Sequence, residues 1–292
     1  MLSFGAVWIS HAKQLESFCL LGLGYGGFMR TIAIGNQKGG VGKTTTAVNL
    51  SACLAEKGNK VLLIDLDPQG NATSGAGFIA DEVEKTIYNV FLGEIPLREV
   101  IRGSKVQSMD VVPANVLLSA ADIAFASDIA RPFLLRNAMR KAAAAELLNY
   151  DFIVIDCPPN LGLLTQNALV AAQELIIPVD ARYYSVVGIN ILAGMVKEIG
   201  EKLDHQIALL GILVNMFDRT TTHHNTILEM LKQTYGEKVF QTIITRNIDL
   251  SDAEAQHMPI TLFAPKSSGC RNYQTLAEEI LKTDKSENAA VL

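Results

Sequence analysis

The stretch Lys38-Gly39-Gly40-Val41-Gly42-Lys43-Thr44-Thr45 constrains this chain more than any other. It follows Thr31-Ile32-Ala33-Ile34-Gly35, a short apolar run that reads as a buried strand, and precedes residues 46–55, which read as a helix. Strand, glycine-rich turn and helix together make the context of a phosphate-binding loop. Glycines let backbone N–H groups curl around an anion, and the helix that follows aims its positive end at the same point. The backbone amides from Gly40 to Thr45 are the expected cradle, with Gly39 at its entrance. The usual pattern, G-x-x-x-x-G-K-[ST], is not met in full. Gln37 stands in place of the first glycine, and an additional lysine, Lys38, lies five residues before Lys43. This is the deviant, two-lysine form of the loop.

Strand-end carboxylates support the reading. Residues 60–67 form an apolar run closing on Asp65 and Asp67, after which Pro68-Gln69-Gly70-Asn71 forces a turn. Ligands of open α/β sheets sit beyond the carboxyl ends of the strands, so both aspartates belong on the rim of the loop. If the strand runs on to Asp67, the two carboxylates share a face. A second apolar run, Phe152 to Ile155, ends in Asp156 and two prolines follow at 158 and 159. Thr44 and Asp156 are the expected magnesium partners, Thr44 directly and Asp156 through the ion's water shell. Lys43 is expected to bridge β- and γ-phosphates. Asn215, just past an apolar run, offers a donor and an acceptor to an adenine edge, or serves as a turn asparagine.

The alternation continues to the end of the chain and predicts an α/β fold. It is a single P-loop NTPase domain with a mostly parallel central sheet and helices on both faces. Further strands are expected at 109–113, 175–179, 208–214 and 239–244. Helices are expected at 115–125, 132–148, 186–203 and 222–235, with shorter ones at 86–91 and 96–101. The helix at 132–148 is Ala-rich, flanked by basic residues, and reads as packing. His223 and His224 are adjacent, face different sides of a helix, and read as exposed rather than as a metal pair.

A chain of 292 residues, 49% of them hydrophobic, can bury a full core. The net charge of −5 does not advertise nucleic-acid binding, so any such contact has to come from a local basic patch. Cys19, Cys53, Cys157 and Cys270 never approach C-x-x-C spacing, which suits a reducing cytoplasm without disulfides or zinc. No apolar run is long enough for a membrane span. Residues 1–28 match a signal peptide poorly, and Met29-Arg30-Thr31-Ile32 looks like the natural start of the fold. The expected division is therefore an extension over 1–28, an ATPase domain over 29–285 and a flexible tail over 286–292.

From these motifs the chain resembles the ParA/Soj family of partition ATPases, within the MinD/ParA group. The likeness covers residues 30–282 and rests on KGGVGKTTT at 38–46, DLDPQGNATSG at 65–75 and FIVIDCPPNLGLLTQNAL at 152–169. TRNIDLSDA at 245–253 and PKSSGCRNYQTLAEEI at 265–280 complete it. The resemblance implies ATP and Mg²⁺ as cofactors and slow basal hydrolysis stimulated by a ParB-type partner. It also implies an ATP-dependent homodimer, nonspecific DNA binding and partition of chromosome or plasmid DNA from a cytoplasmic, nucleoid-associated position. It gives Lys38 to the partner subunit's phosphates and Asp67 to the attacking water. Two departures stand out. Asp249 occupies a place where the family often has arginine, leaving Arg219 and Arg246 as the DNA candidates. Residues 181–188 lack the family's frequent glutamates. Alternatives are a ParA-like positioner of non-DNA cargo, a MinD-like membrane ATPase and an iron–sulfur ATPase of the nitrogenase-reductase type. The tail carries no amphipathic basic helix for a membrane, and no cysteine pair is placed for a cluster.

Overall fold

The structure, a computed structural model, describes residues 29–145, 148–182 and 185–283. The expected extension over 1–28, the tail over 286–292 and Cys19 lie outside the described residues. Seven strands form one sheet: β1 (Arg30–Ile34), β2 (Val61–Asp65), β3 (Arg102–Gly103), β4 (Met109–Val112), β5 (Phe152–Asp156), β6 (Glu174–Asp180) and β7 (Ala208–Asn215). Their order is β3-β4-β2-β5-β1-β6-β7. Every pairing is parallel except the short antiparallel β3–β4 edge. β1, β2 and β5 are buried along their whole length, as near-continuous runs of Ile, Val and Leu require of a sheet covered on both faces.

The helices are α1 (Lys43–Glu56), α2 (Asn71–Gly75), α3 (Ile87–Phe91), α4 (Ala121–Ala124), α5 (Leu134–Ala144), α6 (Leu163–Ala171) and α7 (Ser185–Leu203). They continue as α8 (Thr222–Tyr235), α9 (Ile248–Ala255), α10 (Ile260–Phe263) and α11 (Ser268–Lys282). They cover the sheet in two layers. One core joins the sheet to α3, α5, α6, α7 and α8; the other joins it to α1, α9, α10 and α11. At the end of the strands opposite the phosphate loop, Arg30 ties three elements together. Its guanidinium donates to the Glu174 carboxylate at 2.7 and 2.8 Å and to the Ile280 carbonyl at 2.8 Å. The end of α11 is thereby pinned to β1 and β6.

Several expectations change in detail. β2 stops at Asp65 and does not reach Asp67, so the two carboxylates do not share a strand face. The reason is local: Asp65 accepts from the backbone N–H of Asp67 at 3.0 Å, which turns the chain out of the sheet. The expected strand at 239–244 is reduced to isolated bridges, Ile212 with Val239 and Phe217 with Thr245. Here the Glu279 carboxylate takes the N–H groups of Gln241 and Thr242 at 2.7 and 2.9 Å, so the segment forms no continuous ladder with β7. The helix expected at 115–125 is a 3₁₀ turn, Val116–Ala120, leading into the single turn of α4. The helix expected from 132 opens as a 3₁₀ turn around Pro132 and runs as α5 to Ala144. The helix at 96–101 is a 3₁₀ turn over Leu97–Glu99. α8 has the expected bounds.

Candidate functional site

The loop from Gly35 to Gly42 leaves β1 at mid-sheet, between β5 and β6, and enters α1. Gly40 and Gly42 adopt φ of 70° and 84°, the left-handed region that a side chain resists. Gly42 is fixed by space as well: a Cβ there would lie 2.1 Å from Nδ2 of Asn215. That Nδ2 donates to the Val41 carbonyl at 3.0 Å, while Asn215 Oδ1 accepts from the N–H of Met216 at 2.8 Å. The end of β7 therefore props up the loop from beneath. Asn215 has this structural duty in addition to lining the adjacent cavity.

The two lysines of the loop point to different places. Lys43 is buried and its Nζ donates to the Lys38 carbonyl at 3.1 Å, inside the loop. Burial pushes its pKa below the ordinary lysine value, and the nearby Asp156, Cys157 and Asp67 oppose that push. Lys38 leaves the loop outward. Its Nζ lies on the Asp180 carboxylate at 2.7 and 2.9 Å, at the end of β6, with about a third of the side chain exposed. Arg182 Nε approaches the same carboxylate at 3.3 Å.

Three carboxylates gather at the ends of β2 and β5. Asp65 is fully buried and accepts from the Thr73 N–H and hydroxyl, both at 2.8 Å, as well as from Asp67. Burial outweighs those bonds and lifts its pKa to about 6. Asp65 is thus an anchor for α2 rather than a group facing ligand. Asp67 stands at the rim, nearly buried, with Oδ1 accepting from the Gln69 N–H at 3.0 Å. Asp156 is fully buried, and neither carboxylate oxygen has a hydrogen-bond partner. Burial drives its pKa well up and Asp65 adds to the shift; the nearby Thr44 hydroxyl opposes it. An orphaned buried carboxylate beside a loop hydroxyl fits a hydrated divalent cation. No group of three or more His, Cys, Asp and Glu is placed to hold a metal among the described residues. A cation here would therefore draw on water and phosphate oxygens, as magnesium does.

Beside the loop lies a cavity of about 440 Å³, lined by Thr45, Asp180, Asn215, Met216, Asp218, Thr221, His224, Arg246 and neighbours. Of the two expected DNA arginines, Arg246 is on this cavity and Arg219 is not; both are exposed. Asp249 lies in the first turn of α9, where a carboxylate favours the helix dipole, so its acidity has a local reason. His223 is exposed as expected. His224 is not: it is half-buried, accepts through Nδ1 from the Asp218 N–H at 3.0 Å and tilts against Phe217. Asp180 and Met216 escaped sequence reasoning. Asp180 carried the same signal as Asp156, a carboxylate closing an apolar run. Met216 carried none; it is recognised here by a φ of 53°, rare for a side-chain residue.

A glycine-curled loop at the end of a central parallel strand, followed by a helix and flanked by strand-end carboxylates, defines a P-loop nucleoside-triphosphatase of the two-lysine type. The family model described as an AAA domain matches residues 29–209. The sporulation initiation inhibitor protein Soj of Bacillus subtilis is 42% identical over 86% of this chain and 98% of its own length. The chromosome partitioning protein ParA of Myxococcus xanthus is 41% identical over 87% and 89%. Among solved structures, the cobyrinic acid a,c-diamide synthase of Mycobacterium smegmatis, with an ATP analog and magnesium bound, aligns with a TM-score of 0.78. It is 29% identical and covers 90% of this chain and 99% of that one. This chain belongs to the ParA/Soj family of chromosome-partitioning ATPases and is an ATP hydrolase.

Proposed function

We propose that this ATPase is a switch that dimerises on ATP, holds nonspecific DNA in that state, and partitions chromosome or plasmid DNA with a ParB-type protein. ATP and Mg²⁺ are its cofactors. The observation that carries the reading is the divergence of the two lysines: Lys43 turns into the loop, while Lys38 turns out of it to Asp180. A lysine directed out of its own cradle is available to a triphosphate held by a second copy.

In this reading the amides of Gly40 to Thr45, with Gly39, Val41 and Gly42 shaping the turn, bind the phosphate oxygens. Lys43 neutralises the β- and γ-phosphates as a compact charge. Magnesium, held by Thr44 with Asp156 behind it, would supply charge neutralisation at the phosphates. Asp67, pinned through one oxygen by the Gln69 amide, orients the attacking water with the other. Asn215 and the cavity beside it receive the base. Lys38 leaves Asp180 for the partner's phosphates, and the buried Asp180 carboxylate keeps Arg182 Nε at 3.3 Å. Loss of the γ-phosphate returns Lys38 and opens the dimer. Arg219 and Arg246 are candidate DNA contacts.

The test is duplex binding by fluorescence anisotropy at one fixed salt concentration. Wild-type protein should retain an arbitrary-sequence duplex with ATP and Mg²⁺ but not with ADP. Lys43→Ala should bind neither nucleotide nor duplex. Equal retention with ATP and ADP, or tight ATP binding by Lys43→Ala, would overturn the reading.

A further inference from the structure

The segment from Arg131 to Ala145 contains four basic residues, Arg131, Arg136, Arg140 and Lys141, and no acid, in a chain whose net charge is −5. α5 carries most of this segment and divides cleanly. Leu135, Met139, Ala142 and Ala143 are buried in the core. Arg140 and Lys141 are exposed and Arg136 is half-buried, its guanidinium 5.9 Å from the Phe133 ring centroid. Among the described residues no carboxylate pairs with Arg136, Arg140 or Lys141. The nearby acids are engaged elsewhere: Asp128 accepts from the Ala130 N–H and Asp122 from the Leu163 N–H.

Helix stability does not account for this pattern. Lys141 lies in the last turn, where the dipole favours a cation. Arg136 lies in the first turn, where the dipole disfavours one, and that turn holds no acid. Among the described residues, no acid of α5 offsets this basic face. Arg136 and Arg140, four residues apart, lie on one side of the helix about 6 Å apart along its axis, so one phosphate strand can meet both. The apolar side of α5 is already consumed by the core, so this helix has nothing to insert into a bilayer. α5 follows β4 and leads to the start of β5. Running back from the carboxyl ends of the strands, it carries Arg140 and Lys141 toward the end of the sheet opposite the phosphate loop, while Arg136 stays nearer the loop end.

We propose that Arg136, Arg140 and Lys141 on α5 form a contact surface for the phosphate backbone of duplex nucleic acid, without base readout. The inference rests on the DNA-binding reading above and gives that reading a surface separate from Arg219 and Arg246. Phe133 holds Arg136 in place by stacking, and Arg140 and Lys141 extend the row.

The experiment measures affinity of the full chain, with ATP and Mg²⁺, for a random-sequence duplex over a series of salt concentrations. The triple variant Arg136→Gln, Arg140→Gln, Lys141→Gln should bind at least about tenfold more weakly at low salt, with a salt slope shallower by about 2 to 3. Its ATP hydrolysis without DNA should match wild type, and Arg140→Lys should bind as wild type. Equal affinity and slope in the triple variant, with wild type still binding, would overturn this surface alone. Failure of the wild type to bind the duplex would overturn the DNA-binding reading and the surface with it. Loss of sedimentation with anionic phosphatidylglycerol vesicles, with duplex binding intact, would give the face to lipid and reject the proposal.

Discussion

At the scale of single residues, the site is set by what each side chain has already spent. Asp65 spends both oxygens on Thr73 and Asp67, so it organises the turn, while Asp67 keeps one oxygen free of the turn's own amides. Asp156 spends neither, which is what a cation partner at the end of a buried strand should look like. Gly42 has no room to spend. Gly42→Ala forces a Cβ into Asn215 at a φ of 84°, which strains the backbone and breaks the Asn215–Val41 bond. The expected loss is about 2–4 kcal/mol, together with loss of nucleotide binding. Chemical denaturation and nucleotide titration of the variant check it; unchanged binding would remove Asn215 as the loop's support. The two lysines and the three aspartates were legible from residue type and spacing. The split between Asp65 and Asp67 was not, because it depends on which oxygen the chain's own turn captures.

At the scale of elements, strands and helices of strong periodicity were readable, and α8 was read to its bounds. One misread segment, 239–244, is apolar enough to be a strand. It fails as one because Glu279, from a helix far along the chain, competes for its amides. No local pattern reports that. The same contact region holds a close fit: a Cβ on Gly211 would lie 2.5 Å from the Phe240 ring. Gly211→Ala should cost about 1–3 kcal/mol by overpacking while leaving nucleotide affinity unchanged. A shifted denaturation midpoint with intact ATP binding is the expected result. At the end of α6, His205 Nε2 lies 2.8 Å from the Ala172 carbonyl, to which it donates as the neutral ring. Burial lowers its pKa below the unfolded value of about 6.5. The unfolded chain therefore takes up the proton first, and this contribution to stability is present above that value and lost as pH falls through the folded pKa. His205→Gln should flatten the decline of thermal stability below pH of about 6.5, and an unaltered profile would contradict the assignment.

At the scale of the whole molecule, no helix among the described residues is long and apolar enough to cross a membrane. Loop, carboxylates and cavity come from one chain, and the outward Lys38 is held by Asp180 of that same chain. The sequence motifs announced the family but not this geometry, since the Lys38–Asp180 pair joins residues from β6 and the loop across 142 positions. The measurement that bears most directly on the account is sedimentation of Asp67→Ala protein with ATP and Mg²⁺, with and without Lys38→Gln. The account predicts a stable dimer for Asp67→Ala and a monomer for the double variant, both binding ATP equally. A double variant that dimerises as tightly as Asp67→Ala would contradict it.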